Sequence, residues 1–254
     1  MKTELSFGGG GQTTSMLVLI AGGLWPRPDA ILMADTGSER PETYRYLSEH
    51  TYPYATAHGL EIVILGPPWR TKSYAEDLER YCLKYHMLPA TFNRWCTDKF
   101  KLAAMRRYRT KVMGATVTAP IESWIGISTD EGHRAKLSSD PTEIKRYPLI
   151  ELGMSRMDCE AVIAAVGLPP VPKSGCWFCP FRGRHEYQRL KREEPELFAR
   201  ALHMERNAKP NKHGKARYLP MFGSLESVAM QDEIPGFEEA MGAEAECVTG
   251  VCLV

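Results

Sequence analysis

Four consecutive glycines, Gly8-Gly9-Gly10-Gly11, stand between the alternating run Thr3 to Phe7 and the apolar, helix-length stretch Thr13 to Leu24. An ordered glycine carries the largest backbone entropy cost of any residue, so four in a row point to a place where bare backbone is needed close to something. Set between a strand pattern and a helix pattern, with Thr13 or Thr14 as a cap, they predict a loop whose N–H groups wrap an anion. The positive end of the helix adds to that attraction. A flexible turn is the bland alternative. No lysine follows the last glycine, so this is not a Walker A loop. The spacing is not G-x-G-x-x-G either, although Asp35 falls near the place of that fingerprint's acidic partner.

Further along, apolar runs alternate with helical periods. Ala30 to Ala34 reads as a buried strand ending at Asp35, Pro41 to His58 as a helix, and Glu61 to Leu65 as a third strand. Lys72 to Tyr85 and Thr97 to Lys111 read as helices, and Ser123 to Ile127 as another strand. Ser155 caps a helix that Gly167 and Pro169 stop near Val166. Leu168 to Arg182 is rich in proline and cysteine, charged helices follow from Gly183 to Asn207, and the chain beyond Lys209 is polar. This order predicts an α/β fold, a doubly wound, mostly parallel sheet with a cysteine-bearing helical C-terminal part. The expected division is a nucleotide-binding α/β domain over 1–150, a helical metal or substrate region over 151–210 and a C-terminal tail over 211–254.

A net charge of +1 in 254 residues gives no electrostatic case for nucleic acid or a membrane surface. The basic stretch Lys99-Phe100-Lys101 with Arg106-Arg107 reads as a solvated helix face. The longest apolar run, Met16 to Leu24, is far short of the ~18 residues of a spanning helix, and no leader pattern opens the chain. The cytoplasm is the expected compartment. Seven cysteines, two of them in Cys176-Trp177-Phe178-Cys179, suit metal or redox chemistry better than a disulfide framework. Cys82 and Cys159 fall in helical patterns and read as core residues, although either, or a tail cysteine, could complete a ligand set.

The glycine loop, read as Ser6-Phe7-Gly8-Gly9-Gly10-Gly11-Gln12-Thr13-Thr14, resembles the PP-loop signature Ser-Gly-Gly-Lys-Asp-Ser of adenine nucleotide alpha hydrolases. Gly9 and Gly10 match its glycine pair and Thr13 stands at its serine. Gly8, Gly11 and Gln12 replace its serine, lysine and aspartate. Ala34-Asp35-Thr36-Gly37 resembles the strand end that contacts adenosine in that family. Trp124 to Arg134 is similar to the family's Gly-Ile-Arg-x-x-Glu-Ser-x-x-Arg stretch at Gly126, Ile127, Glu131 and Arg134. Arg134 suits a phosphate or sulfate group.

The order Cys96 with Lys101, Tyr147-Pro148-Leu149-Ile150, then Gly175-Cys176-x-x-Cys179-Pro180 resembles sulfonucleotide reductases that carry an iron–sulfur cluster. The phosphoadenosine phosphosulfate (PAPS) reductase-like branch is the one resembled. The resemblance implies Cys96, Cys176 and Cys179 as metal ligands, a 4Fe-4S cluster ahead of zinc, with free or redox thiols as the remaining alternative. It implies ATP, or PAPS or its unphosphorylated form APS, as nucleotide, with magnesium as an optional companion. Glu246-Cys247 resembles the reductases' terminal Glu-Cys, so Cys247 and Cys252, with Lys101, are the candidate catalytic residues. The leading implied activity is an ATP-dependent sulfurtransferase that cleaves ATP to AMP and pyrophosphate. A thiol-dependent sulfonucleotide reductase and a non-catalytic nucleotide-binding accessory protein are the alternatives. The implied partners are a cysteine desulfurase as sulfur donor or a thioredoxin-like reductant. A nucleic-acid acceptor stays open without support from charge, and no membrane is implied.

Overall fold

The computed structural model describes residues 1–211 and 213–230. In chain order these form β1 (Thr3–Ser6), α1 (Gly11–Ala21), β2 (Ala30–Met33), α2 (Pro41–Tyr46), α3 (Tyr52–Ala57) and β3 (Ile62–Ile64). Then come α4 (Leu78–Tyr85), α5 (Ala103–Tyr108), β4 (Ile121–Ile125), β5 (Glu143–Arg146), α6 (Pro148–Glu151) and α7 (Arg156–Ala165). The chain ends its described part with α8 (Arg184–Glu193), α9 (Pro195–Asn207) and α10 (Leu225–Ala229).

The five strands form one sheet in the order β3-β2-β1-β4-β5, every pair parallel. β1 lies at the centre, with Leu5 opposite Ile31 on one side and Trp124 on the other. Parallel strands need crossovers, and helices supply them on both faces, as the alternating pattern predicts. From β1 the chain winds outward through β2 and β3, then returns to β4 on the other side. That reversal opens a crevice at the carboxyl ends of β1 and β4, where ligands of doubly wound sheets bind.

α1 and α7 pack together, and Leu5, Phe7, Met16, Leu17, Trp124 and Leu149 join one core beneath them. A second core gathers Leu78, Cys82, Phe100, Phe178, Tyr187 and Ala201 among α4 and the helices α8 to α10. The expected helix from Gly183 to Asn207 is two helices, because Glu194 precedes Pro195, whose ring disfavours a helical residue before it.

Several boundaries differ from expectation. α1 starts at Gly11 with Gly10 as its N-cap and no side-chain cap, so neither Thr13 nor Thr14 caps it. Only Leu78 to Tyr85 of the stretch 72–85 is α-helical, because the Asp77 side chain accepts the Arg80 N–H and starts the helix there. The helical stretch 97–113 carries π turns at Thr97–Leu102 and Arg109–Met113, on either side of α5. No helix among the described residues is long and apolar enough to cross a membrane.

Candidate functional site

The glycine loop leaves β1 in a conformation that its sequence enforces. Gly9 has φ +71°, the left-handed region that glycine enters without a Cβ penalty. Thr13 Oγ1 ties the turn by accepting the Gly8 N–H at 3.3 Å and donating to the Gly10 carbonyl at 3.1 Å. The Thr14 N–H closes the first helical bond on the same carbonyl at 2.9 Å. Across the crevice Gly126 leaves β4, where an added Cβ would lie 2.8 Å from Thr13 Cγ2. Only glycine lets the end of β4 approach the first turn of α1 so closely. Phe7 is buried, and the Ser6 hydroxyl donates to Met105 Sδ at 3.8 Å.

At the end of β2, Asp35 Oδ1 accepts the Tyr44 hydroxyl at 2.7 Å and the Gly37 N–H at 2.9 Å. Burial and this carboxylate push the Tyr44 phenol well above its usual range, so it stays a donor. The next residues clamp the C-x-x-C loop. Glu39 Oε2 accepts the Gly175 N–H at 2.5 Å, Ser38 O accepts the Trp177 N–H at 3.1 Å, and Arg182 Nε donates to Cys176 O at 2.9 Å. Thr36 Oγ1 and Cys176 Sγ form a hydrogen bond at 3.4 Å. Ser174 Oγ lies 3.0 Å from where a Cβ on Gly10 would stand. The structure thus sets the cysteine loop directly against the glycine loop.

Lys101 reaches this place from the π turn at 97–102, its Nζ 3.4 Å from Glu39 Oε1. Burial would lower its pKa, but Glu39 and the neighbouring Cys176 outweigh that and hold the ammonium charged. Burial pushes the Cys176 thiol up, and Lys101 opposes the rise. Cys82 stands within reach of the charge of Cys96 and of Cys176, and burial raises the Cys82 and Cys96 thiols as well.

Of the three expected ligands, Cys96 and Cys176 pack against the same second core, and Cys179 stands within reach of the charge of Cys176. Among the described residues, however, no three His, Cys, Asp or Glu side chains are arranged to hold a metal ion. As placed, these residues do not fit the expected iron–sulfur cluster or zinc ion. Cys159 lies in the first core, away from this group, whereas Cys82 joins it. Cys247 and Cys252 lie outside the described residues.

The remaining expected residues converge at the end of β4. Glu131 Oε2 accepts from Gln12 Nε2 at 3.2 Å, and Glu131 Oε1 lies 2.6 Å from Arg134 Nη1. Ser128 Oγ and Arg134 Nε are buried without a hydrogen-bond partner among the described residues. Sequence reasoning did not single out Glu39. Its only advance signal was its place, three residues beyond Thr36 at a strand end.

Fold and site together define a doubly wound α/β protein with a glycine-rich loop at its switch point and a group of cysteines beside it. Among solved structures the chain is similar to PAPS reductase from Candida auris in its phosphate complex. The two share 16% identity over 70% of this chain and 82% of that one, with a TM-score of 0.48. No family model and no curated protein matches the chain.

Proposed function

We propose that the chain binds an adenine nucleotide across the β1–β4 crevice and acts on it as an enzyme of the PAPS reductase-like kind. The observation that carries this reading is the mouth of the crevice. An uncapped helix N-terminus behind four glycines faces a strand end whose buried Ser128 Oγ and Arg134 Nε have no partner among the described residues. Buried polar groups are ordinarily satisfied, and a nucleotide's oxyanion would satisfy these. Asp35 and Thr36, just beyond the end of the neighbouring strand β2, would meet the nucleoside.

Within that reading we favour an ATP-dependent sulfurtransferase. ATP is cleaved between its α and β phosphates, AMP is placed on an acceptor oxygen, and pyrophosphate leaves. Sulfur from a donor protein then displaces AMP. Cys176 and Cys179, beside the loop, are the thiols placed to hand sulfur across. A second reading has support from the same pair. Two thiols supply the two electrons that convert a sulfonucleotide to sulfite and the free nucleotide, closing a disulfide that an external dithiol reopens.

Calorimetry with ATP, AMP and PAPS tests the shared claim. Micromolar binding is expected in the wild type and its loss in Gly10→Val, whose side chain meets Ser174. Absence of binding by all three nucleotides would sink the reading. Pyrophosphate release from ATP marks the first activity and sulfite release from PAPS the second. Binding with neither product leaves a nucleotide-binding protein without turnover.

A further inference from the structure

The glycine loop has no charged side chain. Gln12 and Thr13 follow the last glycine, and the first turn of α1 holds no acidic residue. The charge at this helix start comes instead from across the crevice. Glu131 and Arg134 belong to the short helical turn Thr129–Arg134 that follows β4. The Arg134 side chain is nine-tenths buried, with Nη1 on Glu131 at 2.6 Å and Nε without a partner among the described residues. The other Glu131 oxygen accepts from Gln12 at 3.2 Å. One carboxylate therefore joins the first turn of α1 to a buried guanidinium.

A carboxylate so placed has the attributes of a bound oxyanion. It is negative, it lies at the positive end of a helix, and it accepts from an arginine and an amide at once. Close by, Ser128 Oγ is buried with a hydrogen-bonding capacity that Glu131 leaves unmet. We propose that Glu131 is a placeholder for the phosphate or sulfate end of the nucleotide. In the empty protein it holds Arg134 and Gln12 in place, and on binding it gives both up to the ligand. Arg134 then supplies the cation that the loop itself lacks.

This inference rests on the nucleotide reading above and adds a demand of its own: the ligand must displace a carboxylate. Pyrophosphate, ATP and PAPS, each rich in negative charge, meet that demand better than AMP. The order of affinity follows from the competition and not from the adenine contacts.

The test is calorimetry of the full chain with ATP and with inorganic pyrophosphate, without magnesium, in the wild type, Glu131→Gln, Arg134→Gln and the double variant. Glu131→Gln keeps the side-chain shape and a partner for Gln12 but removes the competing charge. It should bind ATP about tenfold more tightly, the size of an ordinary coupling between two competing interactions. Arg134→Gln should bind about ten- to hundredfold more weakly, as loss of a charge-assisted hydrogen bond implies. The double variant should bind only slightly more tightly than Arg134→Gln, well short of the tenfold gain, because without Arg134 the placeholder holds Gln12 alone. Unchanged or weaker binding by Glu131→Gln overturns the proposal, and if wild-type binding is intact the nucleotide reading survives. A wild type that binds neither ATP nor pyrophosphate overturns both.

Discussion

Arg109 and Lys101 project from one helical stretch, eight residues apart, and their surroundings differ in kind. Arg109 is 2% exposed and holds three carboxylates: Glu4 on β1 at 3.0 Å, Asp140 at 3.1 Å and Glu143 on β5 at 2.7 Å. Ser123 on β4 donates to the same Glu4 oxygen at 2.7 Å, so three neighbouring strands and the helix are tied into one knot. Arg106 adds a second cation at 2.7 Å from Asp140. Burial alone would raise the Asp140 carboxyl, but hydrogen bonds from Arg106 and Thr142 hold it well below the usual carboxylate range. Lys101, a quarter exposed, has one carboxylate at the longer distance of 3.4 Å and a thiol beside it. A buried charge surrounded by counter-ions holds strands together. A partly open charge with one loose partner keeps capacity for something that arrives. The two halves of this helix have divided those tasks.

The largest effect expected from breaking that division is at the knot. Arg109→Met would leave Glu4, Asp140 and Glu143 packed together with the exposed Arg106 as their only nearby cation among these contacts. Removing one partner of a buried ionic network costs about 3–5 kcal/mol. Urea unfolding should show that loss, while the fraction still folded keeps its nucleotide affinity, since none of these side chains borders the crevice. A cost below about 1 kcal/mol would mean that the knot relaxes without its arginine, and the structural half of the comparison would fail.

Lys101→Met should do the reverse. Glu39 keeps the Gly175 N–H, and the Lys101 end of the lost ion pair is partly solvated, so the loss of stability should stay below that at Arg109, at about 1–2 kcal/mol. Chemistry at the thiol should change more. Lys101 favours the Cys176 thiolate, so its removal sends that thiol further above its ordinary value and leaves less thiolate at any given pH. Alkylation of Cys176 by iodoacetamide at pH 8 should slow by about tenfold for a one-unit rise in its pKa. An unchanged rate with a large loss of stability would reverse the assignment and make Lys101 a second structural cation.

How far the sequence shows these two regions follows from what each is made of. The glycine loop is legible because its cost is visible: four glycines between a strand pattern and a helix pattern have few uses. The strands from Ala30 and Glu61 are legible from apolar runs. β5 is not, because Glu143-Ile144-Lys145-Arg146 carries one apolar residue. It is an edge strand held to β4 by backbone pairing and to the knot by Glu143. The knot itself joins positions 4, 109, 140 and 143, which no local pattern relates. The basic stretch at 99–107 reads as a solvated face, and Lys99 and Arg106 are exposed as expected. Lys101 instead turns toward Glu39 from within the π turn at 97–102. Cys82 has the spacing of a core residue and is one, being 2% exposed, but only the tertiary fold sets it beside Cys96 and Cys176.

The smallest effect sharpens the comparison inside the loop, where two adjacent roles fall on Gly9 and Gly11. Gly9 needs its left-handed φ, while a Cβ there would meet only Leu47 and Met33 at 3.6 Å or more. Gly9→Ala therefore carries conformational strain without a clash, about 1–2 kcal/mol of stability. Gly11 is the first residue of α1, has no positive φ, and a Cβ there would have nothing within 4 Å. Gly11→Ala should then stabilise the free protein by about 0.4–1 kcal/mol, since alanine has fewer unfolded conformations to lose. If the open space over Gly11 belongs to the nucleotide's oxyanion, the same methyl should weaken ATP binding, so stability and affinity move in opposite directions. Melting temperature and calorimetry on this one variant decide it. A Gly11→Ala protein that is more stable and binds ATP as the wild type does would place the oxyanion elsewhere along the crevice, nearer Gly126 and Ser128.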